Sequence, residues 1–202
     1  MTSRTPAGAA VMQPAVTAAL TRAFFEEWAA RGYAALSLEN VARRAGVGKA
    51  ALYRRWRSKA DMAGDCLAAV GITITGVADT GSLKGDIRAL LFSIRRVLRH
   101  PVVRRILPDV HAEIARSSDL RAAVRPFQAR RREQVRRVVD RAVARGELAP
   151  SVDYELAADL IGAPIYWRQI VTGGRAHRRY IETLASAITA AMEAMGTALP
   201  GR

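Results

Sequence analysis

The chain has 202 residues, enough to bury a core without cross-links or metal, and its single cysteine, Cys66, excludes an intramolecular disulfide and a Cys-rich zinc site. Half of the residues are hydrophobic, and 32 basic against 18 acidic side chains give a formal charge of +14, which favours a polyanion such as nucleic acid or an anionic surface. Residues 1–60 carry ten basic and three acidic groups, net +7, and the other 142 carry 22 and 15, also net +7, so the N-terminal third is more than twice as basic per residue.

In chain order, residues 1–14 hold one Arg and an apolar patch broken by Gly8 and Pro14, a poor signal peptide, and read as a disordered arm. Pro14 suits an early helical position and Gly32 a stop, enclosing a helix over 15–31 with Val16, Leu20, Phe24 and Trp28 at steps of four. Ser37 stands where a hydroxyl caps a short second helix over 38–45, and Gly46-Val47-Gly48 makes a turn. Lys49 to Trp56 reads as a third helix with Leu52 and Trp56 on one face, and Ser58 with Asp61 as the cap of a fourth over 59–70. The charge-free run from Cys66 to Ala78 is too short to span a bilayer and reads as core helix followed by a loop, its thiol buried and inert.

Longer helices follow: 83–99 behind Ser82, 102–115 after Pro101, and 119–145 opened by Ser118 and ended by Gly146. The last of these carries Val124, Phe127, Val135, Val138, Val139, Ala142 and Val143 on one stripe, with Pro126 near its start or at a kink. Its run Arg130-Arg131-Arg132 with Arg136 and Arg137 reads as a solvated face beside that stripe. Asp153 opens a helix to Thr172 interrupted by Gly162 and Pro164, and a final helix over 176–195 places Ile181, Leu184, Ala185, Ile188, Met192 and Met195 at helical spacing. The expected fold is all-α: a three-helix helix-turn-helix domain followed by a larger helical domain. The divisions are 1–14 arm, 15–58 reader, 59–71 connecting helix and 72–202 larger domain.

The stretch LENVARRAGVGKAALYRRW, Leu38 to Trp56, raises two chemistries. A Walker phosphate loop needs a first Gly and a hydroxyl after Lys, but Arg43 and Ala50 stand there and the loop follows a helix. Two short helices about a glycine turn, with cations on the second, instead describe a helix-turn-helix whose second helix enters the major groove. Over residues 15–71 the chain resembles the DNA-binding domain of the TetR family of bacterial repressors. The resemblance rests on Ser37-Leu38-x-x-Val41-Ala42-x-x-Ala45-Gly46-Val47-x-Lys49-x-x-Leu52-Tyr53-x-x-Trp56-x-Ser58-Lys59.

That resemblance implies that Tyr53 touches the DNA backbone and Lys59 clamps a phosphate, with base reading at Lys49, Ala50, Ala51 and Arg54. Gly48 and Ala51 stand where relatives often have Ser and Thr, and Arg55 offers a compensating phosphate contact. Ser37, Arg43 and Arg44 complete the candidate DNA set, the two arginines being open to a merely solvated reading. The resemblance also implies a homodimer formed by the last two helices, a pseudo-palindromic double-stranded DNA operator and a small lipophilic effector; no cofactor or metal and no membrane are expected, and the single cysteine fits a reducing cytoplasm. Candidate effector contacts are Phe92, Leu107, His111, Phe127, Tyr166 and Trp167, apolar walls with few polar handles.

An enzyme is the competing class, but His100, His111 and His177 lack ligand spacing, no Gly-x-Ser-x-Gly elbow exists, and Asp109-x-x-x-Glu113 is an ordinary helical pair. The remaining alternative is a charge-driven nucleoid-associated protein without sequence preference or effector.

Overall fold

The computed structural model describes residues 14–74 and 79–197, and every regular element among them is helical. Helices α1 (Pro14–Ala35), α2 (Leu38–Arg44), α3 (Lys49–Tyr53) and α4 (Lys59–Ile74) form the N-terminal part. They are followed by α5 (Leu83–Leu98), α6 (Pro101–Ile114), α7 (Ser118–Ala144) and α8 (Tyr154–Tyr166), a π-helical segment (Trp167–Val171), and α9 (Arg178–Thr197). The arm read over 1–14 lies outside the described residues except for Pro14, which begins α1, and the loop read before Ala78 lies outside them beyond Ile74.

The caps form where side-chain chemistry places them. Ser37 Oγ accepts from the Asn40 amide at 3.4 Å, Ser58 Oγ from Asp61 at 3.1 Å and Ser82 Oγ from Gly85 at 3.2 Å, and Asp153 Oδ1 accepts from Glu155 and Leu156 at 2.9 and 3.0 Å. The cap of α7 is Ser117 rather than Ser118, its Oγ 3.1 Å from the Leu120 amide. α3 stops at Tyr53, short of Trp56, with Arg54 as its C-cap, and the chain then carries Trp56 into the core. Pro126, Gly162 and Pro164 stay inside their helices. The interruption expected near Gly162 and Pro164 comes later, as a change of register: the Thr172 amide reaches the Trp167 carbonyl at 3.0 Å, an i to i+5 bond.

Two apolar cores divide the molecule, but not at the sequence boundary near residue 72. The first joins Leu20, Phe24, Trp28, Val41, Leu52 and Met62 to Ile106 and Val110 of α6 and Leu120 and Val124 of α7. The second joins Leu83, Ile87 and Leu91 of α5 to Val138 and Val139 of α7, Ile161 and Ile165 of α8, and Ile181, Ala185 and Met192 of α9. α7 is long enough, 27 residues, to serve both. α4 lies against it closely: a Cβ on Gly64 would stand 3.1 Å from the Ala123 carbonyl, so glycine sets that helix separation. The fully buried Asp86 ties α5 to the end of α7, accepting from the Thr80 amide at 2.7 Å and meeting Arg141 at 3.2 Å and Arg145 at 3.4 Å.

α1 is broken inside by Gly32, whose φ of 74° and ψ of 162° suit only glycine. The break is tied on both sides. Asp109 Oδ2 of α6 accepts from Trp28 Nε1 at 2.6 Å and from the Tyr33 amide at 2.8 Å, while Lys59 Nζ donates to the Tyr33 and Ala34 carbonyls at 2.8 and 2.9 Å.

Candidate nucleic-acid interface

α3 presents one face to solvent because the other is anchored. Leu52 is wholly buried, and the buried Trp56 just beyond donates Nε1 to Asp65 Oδ2 of α4 at 2.8 Å. Opposite them, Lys49, Ala50, Tyr53 and Arg54 stand exposed on adjacent turns, whereas Ala51 is half-buried. The side chains of Lys49 and Arg54 are exposed and have no hydrogen-bond or ion-pair partner among the described residues. A helix with a core-fixed back and two such cations in front has the geometry to offer guanidinium and ammonium donors to guanine O6 and N7, and a methyl to thymine.

The other candidate residues are engaged within the protein. Glu39, in the first turn of α2, accepts from Tyr53 Oη and Ser37 Oγ, both at 2.9 Å, and the Tyr53 bond is the chief reason its pKa falls below the ordinary carboxylate value. The same bond raises the pKa of Tyr53. Sequence reasoning passed over Glu39; an acid fourteen residues before a tyrosine, across a helix turn, was the available signal. Arg43 reaches Asn40 Oδ1 at 2.8 Å within α2, and Arg55 donates to Thr17 Oγ1 of α1 at 2.8 Å.

Arg44 is committed differently. Its guanidinium meets Glu27 Oε2 at 3.1 Å and Glu26 at 3.8 Å, and Glu27 is 2 % exposed and also accepts from Asn40 Nδ2 at 3.0 Å. A buried carboxylate needs that partner, which makes Arg44 a tie between α1 and α2. Lys59 holds the end of α1 and lies 4.6 Å from the Tyr33 ring centroid. The Tyr33 hydroxyl, mainly through burial, has its pKa pushed up to about 12 and stays neutral. Cys66 is buried and, chiefly by desolvation, also pushed up to about 12.

The expected effector contacts are partly gathered. His111 of α6 meets Tyr166 of α8 edge to face at 5.2 Å. Leu107, Phe92 and Tyr166 pack against the C-terminal core, but Phe127 packs against the N-terminal one. Trp167, 59 % exposed, lies outside the group, on the solvent side where α8 passes into the π-helical segment. An open groove elsewhere on α7, lined by Ala122, Arg125, Pro126 and Ala129, involves none of these residues. Among the described residues, no helix is long and apolar enough to cross a membrane, and no group of three or more His, Cys, Asp or Glu is arranged to hold a metal.

Comparison with known proteins places these elements in context. Residues 20–66 match the model for bacterial regulatory proteins of the tetR family, and residues 77–188 match that for the tetracyclin repressor-like C-terminal domain. The chain is 30% identical over 152 residues to the DNA-binding transcriptional repressor TetR of Mycobacteroides abscessus, covering 70% of this chain and 75% of that one. It is 29% identical over 157 residues, 76% and 78% of the two chains, to the uncharacterized HTH-type transcriptional regulator YdeS of Bacillus subtilis. Among solved structures, the TetR family transcription regulator SCO0332 superposes with a TM-score of 0.68 at 28% identity, over 87% of this chain and 97% of that one. Salmonella enterica GusR gives 0.71 at 17% identity, over 93% and 98%, a likeness of fold.

Proposed function

The chain belongs to the TetR family of transcription regulators, and from that premise we propose that it is a repressor that grips a pseudo-palindromic operator as a homodimer and leaves it when a small lipophilic effector binds. The observation that carries this reading is the outward face of α3, where Lys49, Ala50, Tyr53 and Arg54 stand exposed above a core-locked Leu52. Lys49 and Arg54 read base edges, while Tyr53, Lys59 and Arg43 hold phosphates, Tyr53 by exchanging its Glu39 acceptor for a phosphate oxygen.

Two further observations support the finer parts. Leu156, Trp167 and Val171, at 46, 59 and 50% exposure, give α8 and its π-helical extension an apolar surface suited to a second copy. α6 carries both His111, against α8, and Asp109, bonded to α1, so an effector that displaces α6 pulls on the joint that Lys59 also holds. Coupling needs only that the effector favour the arrangement that fits DNA less well. A regulator of this kind works in the cytoplasm.

The test is a mobility shift on DNA upstream of the protein's own gene or a divergent neighbour, in the presence of excess unrelated DNA. A single preferred palindrome is expected, with Lys49→Ala or Arg54→Ala changing which bases are preferred by about 1–3 kcal/mol per lost contact. Lys59→Ala weakens binding to all sequences alike. Binding without preference would replace this reading with the nucleoid-associated one.

A further inference from the structure

The seam between the two cores holds a cation that the fold itself does not use. Arg131 of α7 lies between Phe127, which faces the N-terminal core, and Val135, which belongs to the C-terminal one. Its guanidinium stands 5.9 Å from the Phe127 ring centroid, and its Nη2 would be 3.5 Å from a Cβ on Gly162, an ordinary contact that places it against α8. The neighbouring Arg132 is paired with Glu155 and Asp159, whereas Arg131 has no acidic partner among the described residues.

Arg131 is exposed, and desolvation by the neighbouring protein lowers its pKa. His111 is similarly exposed, and burial followed by the charge of Arg131 lowers its pKa, keeping the imidazole neutral at pH 7. The Tyr166 ring meets His111, and its hydroxyl has no hydrogen-bond partner among the described residues.

We infer that this seam, between α6, α7 and α8, binds an amphipathic monocarboxylate: Arg131 takes the carboxylate, His111 and Tyr166 add neutral hydrogen bonds, and Phe127 and Leu107 flank the apolar body. One planar guanidinium matches one carboxylate bidentately. A neutral lipophile lying over Arg131 would strip water from a cation without supplying a counter-charge, and a doubly charged phosphate would need a second cation where Arg132 is already paired. This rests on the proposed effector reading and narrows the chemical class of the effector.

The experiment uses matched acid and amide probes, 4-phenylbutyrate with 4-phenylbutanamide and decanoate with decanamide. Each is titrated calorimetrically at pH 7 into the full chain and its Arg131→Gln and Arg131→Lys variants, with thermal melting as the folding control. Wild type is expected to prefer the acid of at least one pair by about 10–100-fold. Arg131→Gln is expected to abolish that preference with the amide's affinity unchanged, and Arg131→Lys to restore part of it. Equal binding of acid and amide, no acid binding at millimolar concentration, or a preference that survives Arg131→Gln overturns the inference. A parallel operator shift separates the two ideas: an acid that binds at Arg131 without releasing DNA removes the release mechanism and leaves the site. Amides that release DNA as well as acids do the opposite.

Discussion

Two helices in this protein lose their regular register, and they end up in opposite conditions. α1 breaks at Gly32, and the groups freed there are taken up: the Tyr33 amide and Trp28 indole by Asp109, the Tyr33 and Ala34 carbonyls by Lys59. α8 passes into a π-helical segment at Trp167, and there Gln169 is 4% exposed with its Nε2 lacking a hydrogen-bond partner among the described residues, while Trp167 and Val171 face solvent. The first break is a finished joint between the DNA-reading helices and α6. The second is incomplete in the isolated chain, as expected of a surface that meets something else.

The largest effect should come from cutting the finished joint. Asp109→Ala leaves the Trp28 indole and the Tyr33 amide without acceptors in a largely buried place, and is expected to destabilise the fold by about 2–5 kcal/mol in denaturant unfolding at fixed protein concentration. A loss below 0.5 kcal/mol would mean that water replaces the carboxylate and that the joint is looser than its distances imply.

Gly32→Ala tests the backbone of the same joint. The added methyl would stand 3.5 Å from Asp109 Oδ1, an ordinary contact, so the expected cost of about 1–3 kcal/mol arises from the φ of 74° alone. If the variant matches wild type, α1 straightens through residue 32 and the break is imposed by nothing local.

Gln169→Leu probes the incomplete break and carries the opposite sign. Replacing a buried amide that has no partner with an apolar side chain of similar size should stabilise the protein by about 1 kcal/mol. A clear loss of stability, read by the same unfolding curve, would show that the native assembly supplies Gln169 with a partner.

Much of this was legible in the sequence, for identifiable reasons. The caps at Ser37, Ser58, Ser82 and Asp153 act within three residues, and the helix-turn-helix is a dense local pattern, so neither needs long-range knowledge. Asp109 was not legible: its partners lie 76 and 81 residues away, and on its own helix it looks like any acid with a Glu four places on. Arg131 was read as one of a solvated basic row. The whole row is exposed, with Arg132 and Arg137 in ion pairs, and only the placing of Arg131 against Phe127 and Gly162 depends on how α7 packs on α8. Pro164 was taken as a break because it cannot donate to the preceding turn; the helix instead continues and widens three residues later, where the interior side chains keep their burial.

Lys59 carries one consequence into solution. A lysine side chain free in water samples many rotamers, and fixing it on a phosphate costs about 2 kcal/mol of entropy at most. Here two of the three ammonium protons already rest on the Tyr33 and Ala34 carbonyls, so that disorder is lost when the chain folds rather than when DNA arrives. The ammonium nitrogen is held by the fold, so in the proposed phosphate contact its charge is positioned before the encounter.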